Sequence, residues 1–164
     1  MSENAFQDYY PDEFNQCYGC GKHNVHGHQL KSRWDGEESL AFFTPQPYHT
    51  AVPGFVYGGL LASLIDCHGT GTAAAATYRQ QGRPMDSEPA LRFVTASIHV
   101  DYLTPTPLGV ELEIRGKTEE ISPKKVVVSV KVHAKGRLCV KGRVVAAPMP
   151  GSMLNLIKGE NKNE

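Results

Sequence analysis

Apolar and polar residues alternate most regularly between Leu91 and Leu103. Val94, Ala96, Ile98, Val100 and Tyr102 fall on one face of an extended chain there, and Phe93, Thr95, Ser97, His99 and Asp101 on the other. That period predicts a long strand with two distinct faces. It returns where Val110, Leu112 and Ile114 alternate with Glu111, Glu113 and Arg115, and again through Val126, Val128, Val130 and Val132. A last strand is expected from about Arg137 to Ala147, entered through a turn at Lys135-Gly136, and short turns between successive strands imply an antiparallel meander. Upstream, residues 29–34 and 39–44 flank Asp35-Gly36, a dipeptide that accepts the positive φ angles of a tight hairpin turn.

Between hairpin and meander, proline and glycine punctuate residues 45–54, and the stretch from about Tyr57 to Tyr78 then runs without proline and is rich in alanine, leucine and isoleucine. This predicts the only long helix, ended by Gly82, Pro84 and Pro89. Hairpin, helix and meander make an α+β domain in which one long central helix packs across the concave face of a curved antiparallel sheet. The domain is expected over residues 17–148. Residues 1–16, with Phe6, Tyr9, Tyr10 and Phe14 among acids, read as an arm or short helix laid on the body, and residues 149–164 as a frayed tail.

Composition narrows the function classes. A chain of 164 residues suits one domain, and 17 basic against 17 acidic residues give no global field towards nucleic acid or an anionic membrane. No apolar run is long enough to cross a bilayer, and the polar, acidic start differs from a secretory signal, so a cytoplasmic protein with reduced thiols is expected.

At 100° per residue, Leu60, Leu61, Leu64, Ile65 and His68 share one side of the helix, and Gly59, Ala62, Ser63, Asp66, Gly69, Thr70 and Ala73 the other. A solvent-facing helix side usually carries Lys, Glu, Gln and Arg; here a single carboxylate, Asp66, stands among small residues that suit packing or binding. An isolated helical acid is as often a plain surface group as a functional one, but these neighbours favour function. At the helix start, Gly58 and Gly59 offer unpaired amides with no side chain to block an oxygen, which suits an oxyanion and would equally suit a tight helix entry. Gly59 and Asp66 are seven positions apart, roughly 10 Å along the axis, so one small reacting group cannot sit against both. Two antiparallel copies of the helix would bring the amides of one beside the carboxylate of the other, making two sites across an isologous interface.

The segment Pro53-Gly54-Phe55-Val56-Tyr57-Gly58-Gly59, followed by Leu64-Ile65-Asp66, resembles the signature of the PaaI-type hotdog thioesterases. Cys17-Tyr18-Gly19-Cys20-Gly21, Asn24, Gly27 and Leu30 resemble that family's N-terminal segment, and Val94-Thr95-Ala96 through Asp101-Tyr102 to Pro105 and Pro107 its strand after the helix, so that about residues 17–147 are covered. The resemblance implies the hotdog fold, sheets joined edge to edge in a homodimer or a dimer of dimers (a homotetramer), and hydrolysis of acyl-CoA with neither metal nor cofactor. It places the catalytic acid at Asp66, the polarising amide at Gly59 or Gly58, and a hydroxyl facing the acid at Thr95. Where relatives usually have His-Gly-Gly this chain has Tyr57-Gly58-Gly59; tyrosine donates a hydrogen bond but is no base near neutral pH. The role is left open to Tyr57, His49 or His68.

Phe55, with Phe93 and Tyr102, could line an acyl channel, and Ser63 lies on the small face. Lys124 and Lys125 in a turn, or Arg79 and Arg83 after the helix, could meet the coenzyme A phosphates; for each, the plain reading is core packing or a solvated turn. Cys17-x-x-Cys20 with His23, His26 and His28 has the look of half a zinc site, although the resemblance reads the stretch as a turn capping the barrel. Beside acyl-CoA hydrolysis stand two other readings: a non-catalytic acyl-CoA or lipid-binding hotdog module, and a zinc-containing interaction module.

Overall fold

The computed structural model describes residues 4–159. Two short 3₁₀ turns, Phe6–Tyr9 and Asp12–Phe14, precede a hairpin of β1 (Ser32–Asp35) and β2 (Glu38–Phe43). Helix α1 (Gly58–Gln80) follows, then β3 (Phe93–Tyr102), β4 (Leu112–Ile121), β5 (Val126–Ala134), β6 (Arg137–Pro148) and a short helix α2 (Gly151–Ile157). All strands pair antiparallel in the order β1-β2-β4-β5-β6-β3. The hairpin turn sits one residue later than the Asp-Gly pair suggests: Asp35 pairs with Glu38, and Gly36, at φ 64°, opens the two-residue loop Gly36-Glu37. Within the segment read as a tail, α2 buries no residue.

Helix and sheet meet closely because glycines remove side chains where they touch. A Cβ at Gly142 of β6 would lie 2.4 Å from Ile65, one at Gly69 would lie 2.6 Å from Val144, and one at Gly116 of β4 would crowd Ser39 and the His68 ring. Leu60, Leu61, Leu64, Ile65 and His68 are buried, as the bulky face requires. The small face differs from the helical-wheel division: Gly69 and Ala73 are buried too, as is every residue from Gly71 to Tyr78. Gly69 packs on Val144 of β6, and the N-terminal arm covers the helix beside Gly71. Phe6, Tyr10 and Phe14 are buried, and the space beside Gly71 is filled by Gln7, Tyr10 and Phe6. The small residues of the second half of α1 admit this arm, which leaves Ala62, Ser63, Asp66 and Thr70 half-buried.

The clean alternation expected along β3 is interrupted. Thr95 pairs with Ala146 and Ser97 with Val145, so Ala96 is a bulge. Directly paired antiparallel residues share a face; before the bulge Phe93 and Thr95 lie on the helix side, and after it Ile98, Val100 and Tyr102 do. The inserted residue lets Thr95 and Tyr102 both reach α1, which strict period two forbids.

His68 sits fully buried between β1 and β2, hydrogen-bonded through Nδ1 to Ser32 Oγ (2.9 Å) and through Nε2 to Ser39 Oγ (2.9 Å), while Ser39 Oγ also meets Thr72 Oγ1 at 2.6 Å. Burial depresses its pKa from 6.5 to about 4. Between those values the unfolded chain binds the extra proton, so this contribution is complete above pH 6.5 and is lost as pH falls towards 4, about 3 kcal/mol in all. Chemical denaturation at pH 7 and pH 5 should show the loss in the native protein and a smaller one in His68→Gln.

Candidate active site

Asp66 lies just past the second turn of α1, on the part of the helix the arm leaves uncovered. Thr95 Oγ1 donates a hydrogen bond to Asp66 Oδ1, drawing the carboxylate towards β3. The bond fixes one carboxylate oxygen, leaving the other to meet water or substrate. β3 is the edge of the sheet, paired only with β6, and exposed from Thr95 to His99.

The start of α1 is held by its neighbours. Val56 N–H donates to Thr106 O (2.9 Å), Tyr57 N–H to His49 O (2.9 Å), and Tyr102 Oη to Gly58 O (2.7 Å). The amides of Gly58 and Gly59 come before any i−4 partner is possible and enter none of the hydrogen bonds among the described residues. The Tyr57 ring, 58% exposed, leans over Gly59 and occupies the space a Cβ there would need. Tyr102, read from the sequence as channel lining, thus has a second function: it ties the end of β3 to the helix start. Position alone could not reveal it, because the contact depends on the bulge.

The remaining sequence candidates separate. His49 is beside the helix start, its Nδ1 accepting from Gln46 N–H (2.8 Å) and its ring against Tyr48, Phe43 and His28; burial lowers its pKa. Phe55, 40% exposed, bridges to Pro107 close by. Ser63 lies against the Gly19 turn of its own chain. His68 is a correction: with no accessible surface and both ring nitrogens engaged, it supports the sheet and cannot reach a substrate. Lys124 and Lys125 are exposed in the β4–β5 turn, near the far end of α1, and Lys125 pairs with Glu120 at 3.6 Å. Arg79 instead stacks on Trp34, 3.7 Å from the ring centroid, and Arg83 hydrogen-bonds Ser87 and Pro89. His28, absent from the substrate candidates, lies 4.9 Å from the Tyr18 ring and 5.6 Å from the His49 ring. Its proximity to the helix start comes from the N-terminal segment folding back, which no local pattern announces.

The thioesterase superfamily profile matches residues 53–141, more than half of the chain. Acyl-coenzyme A thioesterase THEM4 of Xenopus laevis is 35% identical over 95 residues, 58% of this chain and 37% of that protein; this chain thus spans little more than a third of that relative's length. A solved thioesterase superfamily protein from Shewanella loihica is 51% identical, with a TM-score of 0.64 over 77% of this chain and 96% of that one. The E. coli PaaI protein from the phenylacetic acid degradation operon, 14% identical, has a TM-score of 0.61 over 76% of this chain and 82% of its own, a likeness of fold alone. One long helix against a six-stranded antiparallel sheet is the hotdog fold these structures share.

Proposed function

The chain belongs to the thioesterase superfamily, and from that premise we propose that it hydrolyses acyl-CoA thioesters at sites shared between two copies of the chain, with Asp66 as the catalytic carboxylate. The observation that carries this reading is the Asp66–Thr95 pair: the carboxylate on the uncovered stretch of α1 is oriented by a hydroxyl from an edge strand. An exposed strand of ten residues is a template for pairing, and Phe55, Tyr57, Ile98, Tyr102 and Leu103 expose large apolar surface around it. A second copy joined through β3 would cover that surface and bring its own helix start towards Asp66.

In this arrangement the thioester carbonyl lies against the Gly59 or Gly58 amide of the second copy, whose N–H and helix dipole stabilise the developing oxyanion. Asp66 removes a proton from water as it attacks, or attacks the carbonyl itself to give an anhydride that water then opens; collapse expels the coenzyme A thiolate and leaves a free carboxylic acid. Thr95 holds the carboxylate in line, and the Tyr57 hydroxyl supplies the donor that histidine offers in relatives. Lys124 and Lys125, remote from the helix start within one chain, would meet phosphates only if a long ligand or further subunits span the distance.

Thiol release from a panel of aliphatic and aromatic acyl-CoA esters tests the reading. Turnover by the native protein is expected, and Thr95→Val should lower kcat by about tenfold, the effect of one hydrogen bond to a charged group. The Tyr57 ring over Gly59 favours one second reading, an acyl-CoA-binding module without catalysis; tight binding across the panel with no thiol release would establish that instead. Among the described residues no helix is long and apolar enough to cross a membrane.

A further inference from the structure

The sequence pairs Cys17 and Cys20 with nearby histidines, but folding supplies a different third group. The sulfurs of Cys17, Cys20 and Cys67 all lie within 4.8 Å of one another, and Cys17 Sγ is 3.7 Å from Cys67 Sγ. The histidines are engaged elsewhere: His23 bonds Asp12 at 2.9 Å, His26 is exposed, and His28 packs among Tyr18, Phe43 and His49. We propose that Cys17, Cys20 and Cys67 form a three-thiolate site for zinc that pins the N-terminal turn to α1, outside the hydrolytic reaction.

Three observations support it. Two zinc–sulfur bonds of 2.3 Å at a tetrahedral angle place their sulfurs about 3.8 Å apart, close to the Cys17–Cys67 separation. Cys20 and Cys67 are buried and Cys17 is half-buried, so two ligands come from a dry interior and the third stands nearer solvent. Three thiolates and a divalent zinc carry one net negative charge, and the Arg92 guanidinium lies beside Cys20 to offset it. The turn is also shaped for contact: a Cβ at Gly19 would strike Cys67 Sγ, and one at Gly21 would strike the backbone of Cys17 and Asn15. Binding would release the thiol protons and cross-link residue 17 to residue 67, next to Asp66. The fourth cysteine, Cys139, bonds Arg137 O and lies outside the cluster.

The test uses the full chain, untagged and fully reduced, with zinc measured by elemental analysis and cobalt(II) as spectroscopic probe. One equivalent of zinc per chain is expected, and cobalt should give a thiolate-to-metal charge-transfer band with intense tetrahedral d–d bands. Cys17→Ser and Cys67→Ser should each weaken cobalt binding at least about 100-fold, while Cys139→Ser and Asp66→Asn bind as the native protein does. Asp66→Asn separates this site from the hydrolytic one, since it should lose turnover and keep metal. Native folded protein that takes up neither ion from a slight excess, or equal binding by Cys17→Ser, overturns the proposal, as does a Cys17 disulfide that persists in reductant.

Discussion

Asp66→Asn is expected to lower kcat for acyl-CoA hydrolysis by about a thousandfold, some 4 kcal/mol in the barrier. The change is nearly isosteric, and the amide oxygen can still accept from Thr95. What is lost is the capacity to take a proton from water or to attack as an anion. Because Asp66 is half-buried and makes no other side-chain bond among the described residues, melting temperature and oligomeric state should match those of the native protein. Steady-state thiol release alongside a thermal melt separates the outcomes; an undiminished rate in the folded variant removes Asp66 from the chemistry.

Gly142→Leu should have the largest effect on stability. A Cβ there stands 2.4 Å from Ile65 Cγ2, and Ile65 has no accessible surface into which to retreat. The strand must move away from α1 or Ile65 must leave its rotamer, a cost of about 3 kcal/mol by the usual scale of overpacked cores. For a chain of this size that lowers the melting temperature by roughly 10 °C. A differential scanning measurement decides it, and an unchanged melt would mean that the close approach of helix and sheet at Ile65 is misplaced. Val140→Ile, on the same strand and face, should cost less, since its added methylene extends an existing side chain.

The elements legible in the sequence are those whose signals are local. Asp35-Gly36 announced its turn to within one residue, absence of proline announced α1 to within two residues of each end, and alternating valines announced β5. The bulky face of the helix was likewise readable, because Leu60, Leu61, Leu64 and Ile65 recur at helical spacing and pack into the sheet. Long-range facts were not. Ala96 looks like any other position of an alternating strand, and only the pairing with β6 shows it to be a bulge that changes the face of everything after it. Gly69 belongs by helical spacing to the small face, yet it packs on Val144 of β6, and the arm from residues 6–14 returns to cover the helix beside Gly71. The role of His68 is equally hidden from local pattern: its two serine partners lie on β1 and β2, some thirty residues upstream. The third thiol at Cys67 is the clearest case, fifty positions from Cys17 and in contact with it.

Subunit complementation tests most directly whether the carboxylate and the amide come from different chains. Gly59→Val should inactivate by placing a side chain where the carbonyl oxygen must approach, while the exposed Tyr57 ring swings aside and the fold persists. When Asp66→Asn and Gly59→Val chains are unfolded together and refolded in equal amounts, random pairing makes about half the dimers mixed, each with one intact composite site. The expected result is recovery to about a quarter of native activity from two inactive parents; mixed dimers isolated as such and no more active than either parent would contradict a site shared between subunits.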